Sequence, residues 1–217
     1  MSKDGESDRE ETEDEEFPWP RAGDVLFQAA DDWVYNGLVW NFLDGTVHAA
    51  GFKEAADALV ARIGERDRSH EFLVYPIVFC YRHYLELSLK NCLRTAQRYF
   101  ELGDDSAIKK VLGWHSLVEI WKQLRPLLEF RWPDKPGDPD AVEHVLGQFD
   151  DVDERSDAFR YPINKNGEPS LGGTLREHGI DVRNVHDVVT RVGAFLEAAD
   201  GQLCDELAEA PTWADYR

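Results

Sequence analysis

Apolar residues run without a break from Phe72 to Tyr81 and then recur around most of a helical wheel as far as Ala96. Within that run Arg82, Glu86 and Lys90 fall four apart. Four-residue spacing advances about 400° around a helix, so the three charges share one slanted stripe. The pattern predicts a buried helix from Ser69 to Arg98 carrying a charged row. Buried charges must be paired, and each cation can reach Glu86 within the helix. The row is then either a self-satisfied ion triad that fixes helix docking or the floor of a polar site.

The same periodicity predicts five further long helices. One starts at Asp24 and runs to about Trp40 or His48, with Leu26, Phe27, Ala30, Trp33, Val34 and Gly37 on one side. A second covers about Ala49 to Arg66. A third opens at His115, with Pro126 expected to kink it or end its first part. A fourth follows Asp138 and Pro139, a strong start signal. A closing helix from Asp181 presents Val185, Val189, Val192, Leu196 and Leu203. Residues 99–114 form a connector with room for a short helix. INKNGEPSLGG, from Ile163 to Gly173, is a turn-rich excursion, expected as a small hairpin or lid. No alternating strand pattern stands out, so the expected fold is all-α, a bundle of about five or six helices.

Charge divides the chain. The net charge is −19, and residues 1–16 carry nine acids against Lys3 and Arg9. They are expected to be a disordered acidic tail, followed by a helical segment packed on the core over residues 17–66, the bundle over 67–210 and a short tail over 211–217. An acidic field opposes nucleic-acid binding except through a local basic patch. Three cysteines, Cys80, Cys92 and Cys204, have no framework spacing and suit a reducing compartment. With no signal-peptide pattern and no long apolar run, the expected location is cytoplasmic, without a membrane partner.

Several chemistries lack their motifs: there is no GxGxxG, GxSxG or HExxH, and the seven histidines include no metal-ligand pair on one helix, so no cofactor or metal is expected. What remains is the charged row together with DVDERSDAFRYP. There Asp153, Asp157 and Arg160 are expected to continue one helix face. Arg160 either bonds the last carbonyls of its own helix or points across at the row. His115, placed in the first turn of its helix, either caps backbone amides or looks into a cleft.

Taken in order, YRHYLELSLKNCL, WHSLVEIWKQL, DERSDAFRYPINKNG and a closing amphipathic helix resemble the HEPN superfamily, over roughly residues 70–200, most clearly its prokaryotic branches associated with stress and phage defence. The resemblance implies a helical bundle, a homodimer and, in many members, metal-independent ribonuclease activity carried by an arginine and a following histidine with four to six residues between them. This chain departs from that motif. Arg66 precedes His70 with three residues between them and Arg183 precedes His186 with two. The implied function is a ribonuclease-type effector acting on or binding RNA in a defence or toxin–antitoxin system. Arg82, Lys90, Arg160 and His115 would supply cations and a base, Glu86 and Asp157 would orient them, and His83 and Tyr161 would bind substrate. The alternative is a catalytically inactive module that binds a protein partner from the same system through its acidic surface.

Overall fold

The computed structural model describes residues 20, 22–35, 37, 39, 45–63, 69–103, 105–134, 137–172 and 174–209. The expected tails at residues 1–16 and 211–217 lie outside them. The chain divides into two compact units, Met1–Asn41 and Phe42–Arg217.

In the first unit the helix expected from Asp24 does not form. Its described residues are turns and bends around a 3-10 turn at Trp33–Tyr35, where the Asp32 carboxylate accepts the Val34 amide. Leu26, Phe27 and Trp33 are all more than three-quarters exposed. A helix of that length is marginal in water unless packing covers its apolar stripe, so the periodicity alone does not suffice.

The second unit is an all-α bundle. Its long helices are α1 (Thr46–Ile63), α2 (His70–Tyr99), α4 (Leu117–Arg131), α5 (Pro139–Asp153) and α7 (Val182–Glu209), with short helices α3 (Ser106–Leu112) and α6 (Thr174–His178). No helix among the described residues is long and apolar enough to cross a membrane. Side-chain caps begin several of them: Asp105 accepts the amides of Ala107 and Ile108, Ser116 that of Glu119, and Asp138 that of Ala141 ahead of Pro139. Asp181 does the same for α7, accepting from Arg183 and Asn184. Pro76 and Pro126 lie inside α2 and α4, and α4 continues through Pro126 to Arg131.

The centre of the unit is α2, packed against α1, α4 and α7, while α5 lies against α4 and α7. Tyr81, Leu85, Leu89 and Leu93 of α2 are fully buried with Trp121 and Leu124 of α4 and Leu203 of α7. Each such side chain contributes roughly 1.5–3 kcal/mol by leaving water. At the α2–α7 crossing, Gly193 meets Tyr84: an added Cβ would come within 2.0 Å of the tyrosine oxygen. Tyr84 in turn donates to Glu197 Oε1 at 2.7 Å, which fixes the register of the two helices.

The excursion after α5 is a miniature hairpin. Ile163 and Pro169 form an isolated antiparallel bridge, Asn164 Oδ1 accepts the Asn166 and Glu168 amides, and Gly167 takes the positive φ that the turn requires.

Candidate functional site

The charged row forms as the spacing predicts, and the bundle adds partners from two other helices. Arg82 is 0% exposed and Glu86 2%. Arg82 Nη1 donates to Glu86 Oε2 at 3.2 Å, and Lys90 Nζ donates to Glu86 Oε1 at 2.8 Å. Arg82 Nη2 is held by two backbone carbonyls, that of His115 at 2.7 Å and that of Glu154 at 3.1 Å, and lies 3.6 Å from Asp150 Oδ1. Arg82 is therefore a buried tie between α2, the start of α4 and the end of α5, with no surface to offer a ligand.

That tie places His115. The residue is not in the first turn of α4 but just before its cap, Ser116, because the helix start is claimed twice. Ser116 caps it locally, and Asp150 of α5 accepts the amides of Leu117 and Val118 and the Ser116 hydroxyl at 2.7–3.0 Å. With its carbonyl on Arg82, His115 sets Nδ1 3.1 Å from Glu86 Oε1 while its side chain stays 57% exposed. A carboxylate only accepts, so Nδ1 carries the proton and Nε2 is left for other work.

His83 approaches the same carboxylate from α2 itself, with Nδ1 4.0 Å from Glu86 Oε2, an ion-pair distance rather than a hydrogen bond. Its ring stacks on Phe79 at 5.8 Å and meets Phe52 of α1 edge-on at 4.4 Å. Burial pushes the His83 pKa down, and the charges of Lys90, Arg82 and His115 push the same way against the pull of Glu86. Burial alone would raise the Glu86 pKa, but the Lys90 hydrogen bond and charge, with His115 behind them, hold it below the ordinary carboxylate range. The arrangement is an ionised, buried carboxylate with an imidazole on either side and two cations behind.

The second sequence stretch joins it indirectly. Because α5 ends at Asp153, Asp157 and Arg160 lie in turns beyond the helix and do not continue its face. Asp153 stops the helix: its Oδ1 accepts the amides of Asp157 and Ala158, and Ser156 takes a positive φ of 60°. Arg160 Nε donates to the Ser156 carbonyl, and its guanidinium lies over the rings of Phe79 and Tyr161, each at 5.4 Å. The arginine therefore stands one ring away from His83, exposed, with no ion-pair partner among the described residues. Tyr161 is 56% exposed at the rim. Asp157 does not reach the row; its backbone carbonyl accepts from Arg160 and Tyr161, and it lines a separate acidic hollow.

Sequence reasoning missed a second histidine cluster on another face of α2. The Tyr81 hydroxyl donates to Asp57 Oδ1 of α1 at 2.7 Å and lies 2.7 Å from His186 Nδ1 of α7, while Lys53 donates to Asp57 Oδ2 at 2.7 Å. Burial and the Asp57 carboxylate push the Tyr81 hydroxyl well above its ordinary pKa. Only the i, i+4 spacing of Lys53 and Asp57 was visible beforehand. His178 stays exposed near the start of α7, apart from this cluster. Among the described residues no group of three His, Cys, Asp or Glu side chains is placed to hold a metal ion. No family model, curated protein or solved structure matches the chain.

Proposed function

We propose that this is a HEPN-like, RNA-directed protein of a prokaryotic defence or stress system, with His83 and His115 as the acid–base pair of a metal-independent endoribonuclease. The observation that carries this reading is the pair of partly exposed imidazoles sharing a buried carboxylate, Glu86, with exposed Arg160 beside them. RNA cleavage of this class needs a base for the 2′-hydroxyl proton, an acid for the departing 5′-oxygen and a cation for the phosphorane-like transition state. His83, kept neutral by burial, takes the 2′-hydroxyl proton as that oxygen attacks phosphorus. His115 in its protonated form gives its Nε2 proton to the 5′-oxygen as the P–O bond breaks, leaving a 2′,3′-cyclic phosphate. Arg160 neutralises the phosphate, Tyr161 offers a face to a base, and Glu86 holds His115 in the required tautomer. Arg82 and Lys90 act through Glu86 and are positioning residues. The reading also expects a homodimer.

The test is incubation of the purified protein with a mixed RNA pool in the presence of a chelator, beside His83→Gln and His115→Gln variants checked for folding. Cleavage to cyclic-phosphate ends, reduced about a hundred- to ten-thousandfold in each variant, is the expected result. Cleavage that survives both substitutions would overturn the acid–base assignment. No cleavage by the parent protein under these conditions favours the second reading, a catalytically inactive module binding a basic protein partner. That reading is supported by the burial of Arg82 and Lys90, which removes two cations from contact with any phosphate.

A further inference from the structure

The net charge of −19 is unevenly spread along the chain. Residues 87–100 and 106–118 contain no Asp or Glu, yet they carry Lys90, Arg94, Arg98, Lys109 and Lys110. The first segment is the C-terminal half of α2, and the second is α3 with the start of α4. Lys90 is buried on Glu86, but the other four cations are exposed.

Both segments adjoin the histidine pair. Arg94 follows His83 by eleven residues, about three helical turns, which returns it to within about 20° of the same line on α2. Arg98 is about one turn further. The connector folds back beside them: the Gln97 side chain donates to the Gly103 carbonyl near the end of α2, and His115 meets Glu86. Between those two anchors Lys110 lies 5.3 Å over the ring of Trp114, which is exposed and immediately precedes His115.

The arginines are oriented without being neutralised. Arg94 Nη1 donates to Asn91 Oδ1 at 3.3 Å and Arg98 Nη2 to Thr95 Oγ1 at 3.5 Å, both uncharged acceptors one turn back. Among the described residues no ion pair involves either of them, Lys109 or Lys110, whereas Lys122, Arg125 and Arg131 of α4 each have a carboxylate. Cations kept apart from acids in an acidic chain favour an anionic partner. An exposed indole among them favours one that carries rings as well as charge.

We propose that this face, from His83 to Arg98 on α2 and across Lys109, Lys110 and Trp114, is the track along which an RNA strand runs away from the histidine pair. Arg94, Arg98, Lys109 and Lys110 meet phosphates and Trp114 stacks on a base, while Arg160 over Phe79 marks the other side of His83. From His83 to Arg98 the helix rises about 22 Å, room for several nucleotides. Backbone contacts carry no sequence information, so binding is nearly indifferent to sequence. The track rests on the RNA-directed reading of the site but not on its acid–base chemistry.

The test is fluorescence anisotropy of the full-length protein with a labelled 2′-O-methyl RNA oligonucleotide, which lacks the attacking hydroxyl, over a range of salt concentrations. The parent should bind saturably, with log affinity falling by about 0.7 per log unit of salt for each phosphate met. Arg94→Gln/Arg98→Gln should weaken binding about tenfold and flatten that slope by about 1.4, and Lys109→Gln/Lys110→Gln should do the same. Arg62→Gln/Arg191→Gln, which removes equal charge from exposed positions on α1 and α7, should change neither. Circular dichroism checks folding, and the two track pairs lie on separate helices, so one remains if the other fails to fold. The proposal is overturned by absence of saturable binding, by an equal loss in the control pair, or by an unchanged slope in folded track variants. Equally tight binding of a poly-glutamate peptide would also overturn it, making the face a dock for an acidic protein. Track-dependent binding with cleavage that survives both histidine substitutions removes only the acid–base assignment. Histidine-dependent cleavage with an unchanged slope in the track variants removes only the track.

Discussion

The helix α2 carries two carboxylate–histidine clusters that use the same chemistry in opposite ways. At Glu86 the carboxylate is buried and the imidazoles of His83 and His115 reach outward from it. At Asp57 the carboxylate is 27% exposed and the buried member is the uncharged Tyr81, with Lys53 and His186 at the edge. The Asp57 cluster joins α1, α2 and α7 without enclosing a charge, which is an economical way to fix helix positions. The Glu86 cluster encloses Arg82 and Glu86 outright and most of Lys90, an arrangement that packing alone seldom favours over apolar residues of similar volume. The contrast is what the proposed acid–base reading needs: the enclosed charge sits at Glu86, rather than at Asp57.

The largest effect should come from Glu86→Gln, which leaves Arg82 and Lys90 buried without their shared anion. We expect a loss of about 3–5 kcal/mol in urea unfolding. Asp57→Asn, by contrast, should cost about 1 kcal/mol, because partly exposed groups recover water. Equal losses at the two sites would erase the distinction. The contrast is sharpened by replacing Arg82, Glu86 and Lys90 together with Met, Leu and Met. If the row serves chemistry, the triple variant unfolds at a similar or higher denaturant concentration yet loses cleavage; a strongly destabilised variant would instead assign the row to architecture. Between these lies Gly193→Ala, where the added methyl must displace Tyr84 and should cost about 1–3 kcal/mol.

The smallest effect is a pH dependence. His83 has its pKa lowered in the folded protein, first by burial. Below the unfolded value of about 6.5 the unfolded chain binds a proton that the folded chain refuses. Stability should therefore fall as pH drops through that value and level off beneath the folded pKa. His83→Gln should flatten this segment of the curve, while Glu86, its folded pKa also lowered, keeps its own loss at more acid pH.

The bundle was legible in the sequence where patterning and caps agree. The α2 row, the Asp138–Pro139 start of α5 and the Asp181 start of α7 are local signals, and local signals survive folding. The helix expected from Asp24 had periodicity but no packed face. The charged members of the candidate site were legible one helix at a time, whereas their meeting was not. Asp150 caps α4 from 32–34 residues away, Arg82 reaches the Glu154 carbonyl, and His186 finds Asp57 across 129 positions. No spacing rule encodes such contacts. The expectation that Asp153, Asp157 and Arg160 share a face failed because Asp153 captures two following amides and turns the chain.

The i, i+4 pairing of Arg82 and Lys90 with Glu86 also bears on the order in which the chain is made. When α2 leaves the ribosome, His115, Asp150 and Glu154 have not yet emerged, and a row of charges dependent on them would hold a nascent apolar helix open to water. Here both cations find their anion within one turn of the same helix. The row is thus neutralised to a single positive charge before any distant partner arrives, and α2 can collapse onto α1, its neighbour in sequence, without waiting for α4 and α7 to close the bundle.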